Sequence, residues 1–194
     1  MWVQGDPTKE SELDKVRLTH ALAVIVSGAR DMTPQNADAR AILTTFTIRS
    51  FLRRNRRHMK YRRQPLYVVT EILDTENVGH ARAAGADEVI ETRNIGYSMI
   101  AHAIRHHGTA TTMGRFLTSG DYNVYMGRIP DATKKSVSYR DLFNRMELSE
   151  KGGLIIGVRA PNGEEIINPS KDHVVEPGTH LIYLSKTQLL EPPV

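Results

Sequence analysis

Short apolar runs alternate with amphipathic stretches over the first half of the chain. The segments ALAVIVSG (21–28), PLYVVTEIL (65–73) and DEVIET (87–92) predict three strands. ALAVIVSG is nearly continuous in its apolar character and closed by glycine, which is typical of a strand buried on both faces of a parallel sheet. A further strand is expected to end at Val3, just before the turn GDPT.

Four helices are predicted between and after these strands. ESELDKVRL (10–18) would be capped by Thr8 or Ser11, and the helix over 36–54 by Asn36. Thr75 would cap the third helix, which Gly85 would end in the left-handed conformation that glycine favours. Helical spacing gives two of them an apolar stripe. The stripe residues are Ala41, Ile42, Thr45, Ile48 and Leu52 in the helix over 36–54, and Ile95, Met99, Ile100, Ala103 and Ile104 in the helix over 94–107.

The pattern changes after Gly108. The segment 109–121 is rich in small residues and predicts one further helical turn. Strands are then expected at NVYMGRIP (123–130), ended by Pro130, and at EPGTHLIYLS (176–185), with a short helix at SYRDLFNRM (138–146). A hairpin is expected to turn at Asn162-Gly163, since that pair tolerates positive φ angles.

The order of these elements predicts an α/β fold. A partial doubly wound, Rossmann-like parallel sheet with right-handed crossovers would occupy residues 1–108, and a small α+β lobe residues 122–194. Residues 109–121 would form a connector between them.

Charge is concentrated in one stretch. RRNRRHMKYRR contains seven basic residues and no acidic one, and the remainder of the chain has 19 basic against 22 acidic residues. The stretch has three interpretations: a solvated helix extension, a contact with anionic lipid, or a contact with nucleic acid. Tyr61 is its only aromatic residue, which argues against nucleic acid as a partner. The basic residues are Arg53, Arg54, Arg56, Arg57, Lys60, Arg62 and Arg63.

Composition and motifs narrow the classes of function. The 194 residues contain no cysteine, no apolar run long enough to span a bilayer and no recognisable signal peptide. The chain has neither G-x-G-x-x-G nor a phosphate-binding P-loop, and no catalytic constellation, so we do not expect an enzyme. His102 and His106 have a spacing that zinc can use, but His107 adds no evident third ligand, and solvated histidines are the simpler interpretation.

Several short motifs resemble the domains that regulate potassium conductance, of the RCK or TrkA-N type. These are the turn GDPT (5–8) followed by the strand ALAVIV, the segment AAGADEVIET (83–92), and, in the second part, GGLIIGVR (152–159), IINP (166–169) and EPGTHLI (176–182). The resemblance covers nearly the whole chain. QNADARAILTTFTIR (35–49) and VVTEILDTENV (68–78) are most similar to castor-and-pollux-type ion channels.

The resemblance implies a ligand site and places it. Gly5, Asp6, Pro7, Thr8, Ser27 and Gly28 would line an adenine-nucleotide site, and the intact protein could use NAD(H) there. The first strands, the glycine-rich turn and the pore helices would belong to sequence that is absent here. No cofactor is therefore expected to bind this fragment. Some family members bind Ca²⁺ near Glu71, but the partner positions are Leu73 and Ser27, so Ca²⁺ is not expected at that site. Glu71 with Asp74 is the remaining candidate for a metal site.

The resemblance also implies an assembly and a function. Ile95, Met99, Ile100, Ile104, Phe116 and Leu117 would pack across a two-fold interface, with a higher ring in the intact protein. The chain would be a gating domain on the cytoplasmic face of the cell membrane, joined to a cation pore in the same chain. Two alternatives stay open: a peripheral regulatory subunit of a potassium uptake system or antiporter, and a fragment of a dinucleotide-dependent oxidoreductase.

Overall fold

The computed structural model describes residues 2–59, 64–118, 122–129, 136–145 and 152–193. It divides into two compact units, Met1–Ala101 and His102–Val194, which are described separately below. None of the described helices is both long enough and apolar enough to cross a membrane.

The first unit is built on a three-stranded parallel sheet with the order β1-β2-β3, which confirms the predicted parallel α/β arrangement. Val24 of β1 lies opposite Val68 of β2, and Thr70 of β2 lies opposite Val89 of β3. The strands are β1 Ala23–Val26, β2 Tyr67–Ile72 and β3 Glu88–Glu91. The helices are α1 Glu10–Leu13, α2 Pro34–Arg54, α3 Val78–Ala83 and α4 Thr92–Arg105, with 3-10 turns at Asp14–Val16, Leu18–His20, Arg56–Met59 and Thr75–Asn77. The last four residues of α4 belong to the second unit.

Helix α2 supplies most of the core of this unit. Ile48, at 2% exposure, packs with Phe51 of the same helix and with Val68 of the central strand β2. Burial of such side chains is worth about 1.5–3 kcal/mol each, which explains why the longest helix of the unit faces the sheet. The predicted stripe is confirmed for four of its five members, and Ile42 is only partly buried.

The helix starts differ from the predictions. Thr33, not Asn36, caps α2: its hydroxyl accepts the N–H of Asn36 at 3.4 Å, and Pro34 occupies the first turn. The pyrrolidine ring of proline suits that position because the first N–H groups of a helix have no partner within the helix. Asp74, not Thr75, caps the 3-10 turn that leads into α3, because its carboxylate accepts the N–H of Glu76.

The start of α1 was also predicted wrongly. Its N-cap is Lys9, which makes no side-chain cap, and Ser11 lies inside the helix. The hydroxyl of Thr8 donates instead to Asp6 at 2.8 Å. Gly85 does follow α3 with φ of +105°, as predicted.

Two strand predictions at this end of the unit were wrong. Val3 lies outside any strand, and β1 is not buried on both faces, since Ile25 is 78% exposed. Among the described strands β1 pairs only with β2, so one of its edges has no neighbouring strand. An apolar strand can be buried on both faces only where neighbouring elements cover them.

The second unit is a small α+β lobe, as predicted. A four-stranded antiparallel sheet has the order β4-β9-β6-β7, and β5 and β8 form a separate two-stranded sheet. The elements are α5 Thr109–Thr118, β4 Asn123–Arg128, β5 Val137–Ser138, α6 Tyr139–Arg145, β6 Leu154–Arg159, β7 Glu165–Ile167, β8 Val174–Val175 and β9 His180–Ser185. Tyr183 is fully buried at its centre, and its hydroxyl accepts the N–H groups of Leu189 and Leu190, each at 3.0 Å.

The remaining predictions for this lobe have mixed outcomes. The segment after Gly108 forms a helix of ten residues, not one turn. The hairpin between β6 and β7 is confirmed, but only Gly163 has positive φ, at +89°, while Asn162 accepts the N–H of Glu164. The predicted strand end at Pro130 lies outside the described residues, and the role of 109–121 as a connector stays a prediction.

Candidate functional site

A cavity of about 650 Å³ in the first unit brings together most of the predicted nucleotide residues. Gly5 and Pro7 approach from the turn before α1, and Ser27 and Gly28 from the end of β1. Apolar side chains form much of the remaining wall. Ligands of open α/β sheets bind beside the carboxyl ends of the strands, and β1 ends at this cavity.

Asp6 and Thr8 build the turn at the mouth of this cavity without lining it. The carboxylate of Asp6 accepts the hydroxyl of Thr8 at 2.8 Å and its N–H at 3.1 Å. These two hydrogen bonds hold the pKa of Asp6 below its usual value, with smaller contributions from Lys9 and from Arg40, which lies 4.0 Å away. The Asp6 carboxylate is therefore engaged in shaping the turn.

Glu71 ties the end of β1 to the start of α4. One carboxylate oxygen accepts the N–H of Gly28 at 2.9 Å, and the other accepts the hydroxyl of Thr92 at 2.8 Å. Both oxygens thus have a donor from the protein. Asp74 is engaged as the cap described above, so both carboxylates have structural roles.

Sequence reasoning missed Asp38, which organises the same edge of the sheet. Asp38 is fully buried in α2, where its carboxylate accepts the N–H groups of Leu73 and Asp74 and the side-chain amide of Asn77. Three donors compensate the cost of burying the charge. A signal was present, because Asp38 lies three residues before Ala41 and so extends the apolar stripe of α2.

The described residues contain no group of three or more His, Asp or Glu side chains that could hold a metal ion. The rings of His102 and His106 lie 4.7 Å apart, tilted by 46°. The pairing of Glu71 with Asp74 as a metal site stays a prediction, and their contacts give it no support.

The predicted interface residues on α4 and α5 are not buried within their units. Neither helix has a buried residue. Ile95, Ile100, Ile104, Phe116 and Leu117 are between 40% and 71% exposed, while Met99 is partly buried. Burial inside one chain, the competing interpretation of these stripes, is not observed among the described residues. The pairing itself stays a prediction.

The second unit has its own cavity of about 630 Å³, which sequence reasoning did not identify. Arg140, Phe143 and Asn144 of α6 line it together with Asn168 and Lys171, and the guanidinium of Arg140 also donates to Asp172 at 3.4 Å. Asn168 has φ of +49°, a conformation that asparagine adopts more readily than most residues. Two cations and two amides beside an aromatic ring suit an anionic ligand with a flat apolar part. The IINP turn and the following lysine were the available signal.

The basic stretch is partly described. Arg53 and Arg54 end α2, and Arg56 and Arg57 begin the next 3-10 turn. All four are exposed. Lys60, Arg62 and Arg63 lie outside the described residues.

Comparison with known proteins finds sequence similarity to potassium-channel domains. Residues 1–92 match the sequence profile of the calcium-activated potassium channel slowpoke-like RCK domain. The calcium-gated potassium channel TvoK of Thermoplasma volcanium is 23% identical over 96% of this chain and 50% of its own length. The chain therefore spans about half the length of this curated relative.

A solved gating-ring structure has a similar fold. The human SLO3 gating ring is 15% identical and aligns with 95% of this chain and 36% of its own, with a TM-score of 0.66. The GsuK channel bound to NAD is 23% identical over 95% of this chain and 29% of its own, with a TM-score of 0.40. The likeness to the SLO3 ring concerns the fold alone.

Proposed function

We propose, on the premise that residues 1–92 form a domain of the RCK family, that the chain is a regulatory gating domain. It would couple ligand binding to the opening of a potassium or other cation pore carried by a longer protein, on the cytoplasmic face of the membrane. The domain itself would have no catalytic role. Its relative TvoK is a calcium-gated potassium channel and twice as long as the region that matches.

The observation that carries this proposal is the exposed apolar face of α4. Ile100 and Ile104 are neighbours on one side of this helix, both are more than half exposed, and the helix has no buried residue. Such a surface marks an interaction site when its residues are contiguous. Two copies related by a two-fold axis would cover it with the same residues from each side.

Gating then follows from ligand affinity. A ligand can shift the arrangement of paired domains only by binding one arrangement more tightly than another. The work on the pore would come from that difference in binding free energy, transmitted through the assembled domains.

The two cavities are the candidate ligand sites. Gly5, Pro7, Ser27 and Gly28 would hold the adenosine end of a nucleotide such as NAD(H), and the sequence offers no glycine-rich loop for its phosphates. The cavity of the second unit, with Arg140 and Lys171, would suit an anion better. In the longer protein, a further strand would pair with the open edge of β1, and a further element would pack on the sheet face that carries Ile25.

The assembly is tested by sedimentation velocity on the chain at about 1–100 µM. This range is on the order of the dissociation constants of weak to moderate dimers. We expect a dimer whose fraction rises with concentration. Ile100→Glu combined with Ile104→Glu should give a folded monomer, because charged groups would be buried without partners. A control is Val174→Glu, which places the same side chain at an exposed position of β8, away from α4 in the sequence.

The function is tested by ion flux through proteoliposomes containing the longer protein. The same double substitution should abolish the response to ligand while flux through the pore persists. A wild-type protein without any ion flux would contradict the channel assignment, and an unchanged ligand response in the double variant would contradict the role of α4.

A further inference from the structure

The C-terminal end of α2 has a group of exposed arginines that the gating proposal does not use. Arg53, Arg56 and Arg57, called here the arginine patch, lie within one helical turn and the 3-10 turn that follows it. None of them has an acidic partner among the described residues. Their neighbours differ: Arg54 is paired with Glu10 at 2.9 Å and Arg49 with Asp87 at 2.5 Å.

The neighbouring arginine, Arg49, has a structural role that separates it from the patch. Its guanidinium donates to the carbonyls of Gly85 and Leu66 at 2.6 and 3.0 Å, in addition to Asp87. Arg49 therefore holds the turn after α3 against the start of β2. The exposed arginines of the patch make no comparable contact within the described residues.

A groove of about 410 Å³ lies beside the patch. Arg53 and Arg56 line it together with Phe46, Leu52, Pro65 and Leu66. The guanidinium of Arg53 lies 6.0 Å from the centre of the Phe46 ring. The groove thus places cations next to apolar side chains, a combination that matches the phosphate and the adjoining glycerol and acyl carbons of a phospholipid.

The distribution of charge favours a membrane over nucleic acid. Outside the basic stretch the chain has 19 basic and 22 acidic residues, so the rest of the molecule does not attract a long polyanion. Phe46 is covered in part by Arg53 and offers a poor surface for stacking a base. One localised basic patch is enough to bind a bilayer surface. A protein that binds nucleic acid usually has positive charge spread over a whole face.

We propose that the arginine patch and the groove beside Phe46 bind the headgroups of an anionic phospholipid membrane. The interaction is peripheral and electrostatic, and it anchors this corner of the first unit at the bilayer surface. It does not depend on the pairing of α4, so either proposal can fail without the other.

The test is co-sedimentation of the whole chain with vesicles of phosphatidylcholine alone and with 30% phosphatidylserine, a composition on the order of an anionic leaflet. The variant Arg53→Gln, Arg56→Gln, Arg57→Gln removes the patch while leaving Arg49 and Arg54 in place. The matched control is Arg30→Gln, Arg82→Gln, Arg105→Gln, which removes the same charge from exposed positions elsewhere. Each arginine near an anionic surface contributes about fivefold to partitioning, so the patch variant should bind about 100-fold less.

Further measurements distinguish a lipid headgroup from a free phosphate ion as the ligand. Binding to anionic vesicles should weaken strongly between 50 and 500 mM salt, since the Debye length falls from about 14 to about 4 Å. Inorganic phosphate at millimolar concentration should not compete, because one small anion lacks the acyl carbons and the density of charge. Phe46→Ala should reduce partitioning less than the loss of the three arginines.

The proposal fails if the patch variant and the control variant bind anionic vesicles equally, or if neutral vesicles bind as well as anionic ones. Competition by inorganic phosphate would assign the groove to a soluble anion instead. Binding of a 20-nucleotide RNA more tightly than anionic vesicles, lost in the patch variant, would assign it to nucleic acid. Circular dichroism must first show that all variants keep the helical signal of the parent chain.

Discussion

Helices α2 and α4 have similar amphipathic sequences and different surroundings. α2 buries nine of its 21 residues, and its apolar stripe forms the core of the first unit. α4 has a stripe of the same kind and buries none of its 14 residues. An apolar stripe therefore predicts that a partner surface exists, but it does not predict that the partner lies in the same folded unit.

The difference matters because one stripe is explained by folding and the other is not. The stripe of α2 is explained by the free energy of folding, to which its buried side chains contribute. That of α4 contributes little to the described fold and is available for the association proposed above. Substitutions of the same chemical kind in the two helices should separate these roles.

The largest expected effect compares two isoleucines. Ile48→Ala in α2 should lower the free energy of unfolding by about 2–4 kcal/mol, because it removes buried methyl groups and leaves a cavity. Ile100→Ala in α4, where the side chain is 61% exposed, should change it by less than about 0.5 kcal/mol in the monomer. Urea unfolding at low micromolar concentration measures both. Equal losses would mean that the stripe of α4 is buried in the folded monomer.

The next effect concerns the polar member of the α2 stripe. Asp38→Asn should cost about 2–3 kcal/mol, because one of the two acceptor oxygens becomes an amide and buried N–H groups of Leu73 and Asp74 compete for the other. Asp31→Asn, on an exposed residue just before α2, is the control. Hydrogen exchange should show faster opening of the amides of Leu73 and Asp74 in the first variant only, and an unchanged protection there would remove the structural role given to Asp38.

A smaller effect compares two glycines at the ends of α3. Gly85→Ala should destabilise by about 1–2 kcal/mol, because φ is +105° and the added methyl would approach the Cγ atom of Arg49 within 2.6 Å. Gly79→Ala, inside α3 and facing open space, should stabilise by about 0.5 kcal/mol. Thermal unfolding of the two variants checks the opposite signs. Two shifts in the same direction would contradict the conformation assigned to Gly85.

The smallest effect lies in the turn before α1, outside both helices. Because the hydrogen bonds from Thr8 lower the pKa of Asp6 in the folded state, they stabilise the fold above the unfolded pKa of about 3.9, and this stabilisation is lost as the pH falls through the lower folded pKa. Thr8→Val should move the pKa of Asp6 upward, as seen by NMR of its carboxyl carbon. Thr111→Val, at an exposed position in α5, should leave it unchanged.

Much of the fold could be predicted because periodicity and turn residues act locally. The parallel sheet, the stripe of α2, the glycine after α3 and the hairpin at Gly163 all follow from neighbours in sequence. The predictions of Asn36 and Thr75 as helix caps were wrong. Thr33 and Asp74, which lie close by in the sequence, are equally good acceptors, and residue preferences at the N-cap cannot choose between them. Helix α5 was predicted as a single turn because its four threonines and Gly114 have low helix propensity.

The site was harder to predict because it depends on contacts between distant residues. Glu71, which lies near the end of β2, was singled out through the family resemblance, yet its oxygens meet Gly28 and Thr92, which lie 43 and 21 residues away. The burial of β1 was predicted from its apolar run, and Ile25 is exposed because no described element packs against the face of β1 from which its side chain projects. The cavity around Arg140 and Lys171 required the fold of the second unit to bring two separate segments together.

The most direct test of the account is a cysteine scan along α4. Since the chain has no cysteine, single replacements at Ile95, Met99, Ile100 and Ile104 report only their own position. Across a two-fold axis, the residue nearest the axis meets its own copy. Mild oxidation should therefore give covalent dimers with a maximum at one of these positions, and little dimer for Val174→Cys. Equal cross-linking at all five positions, or none along α4, would contradict the pairing on which the gating proposal depends.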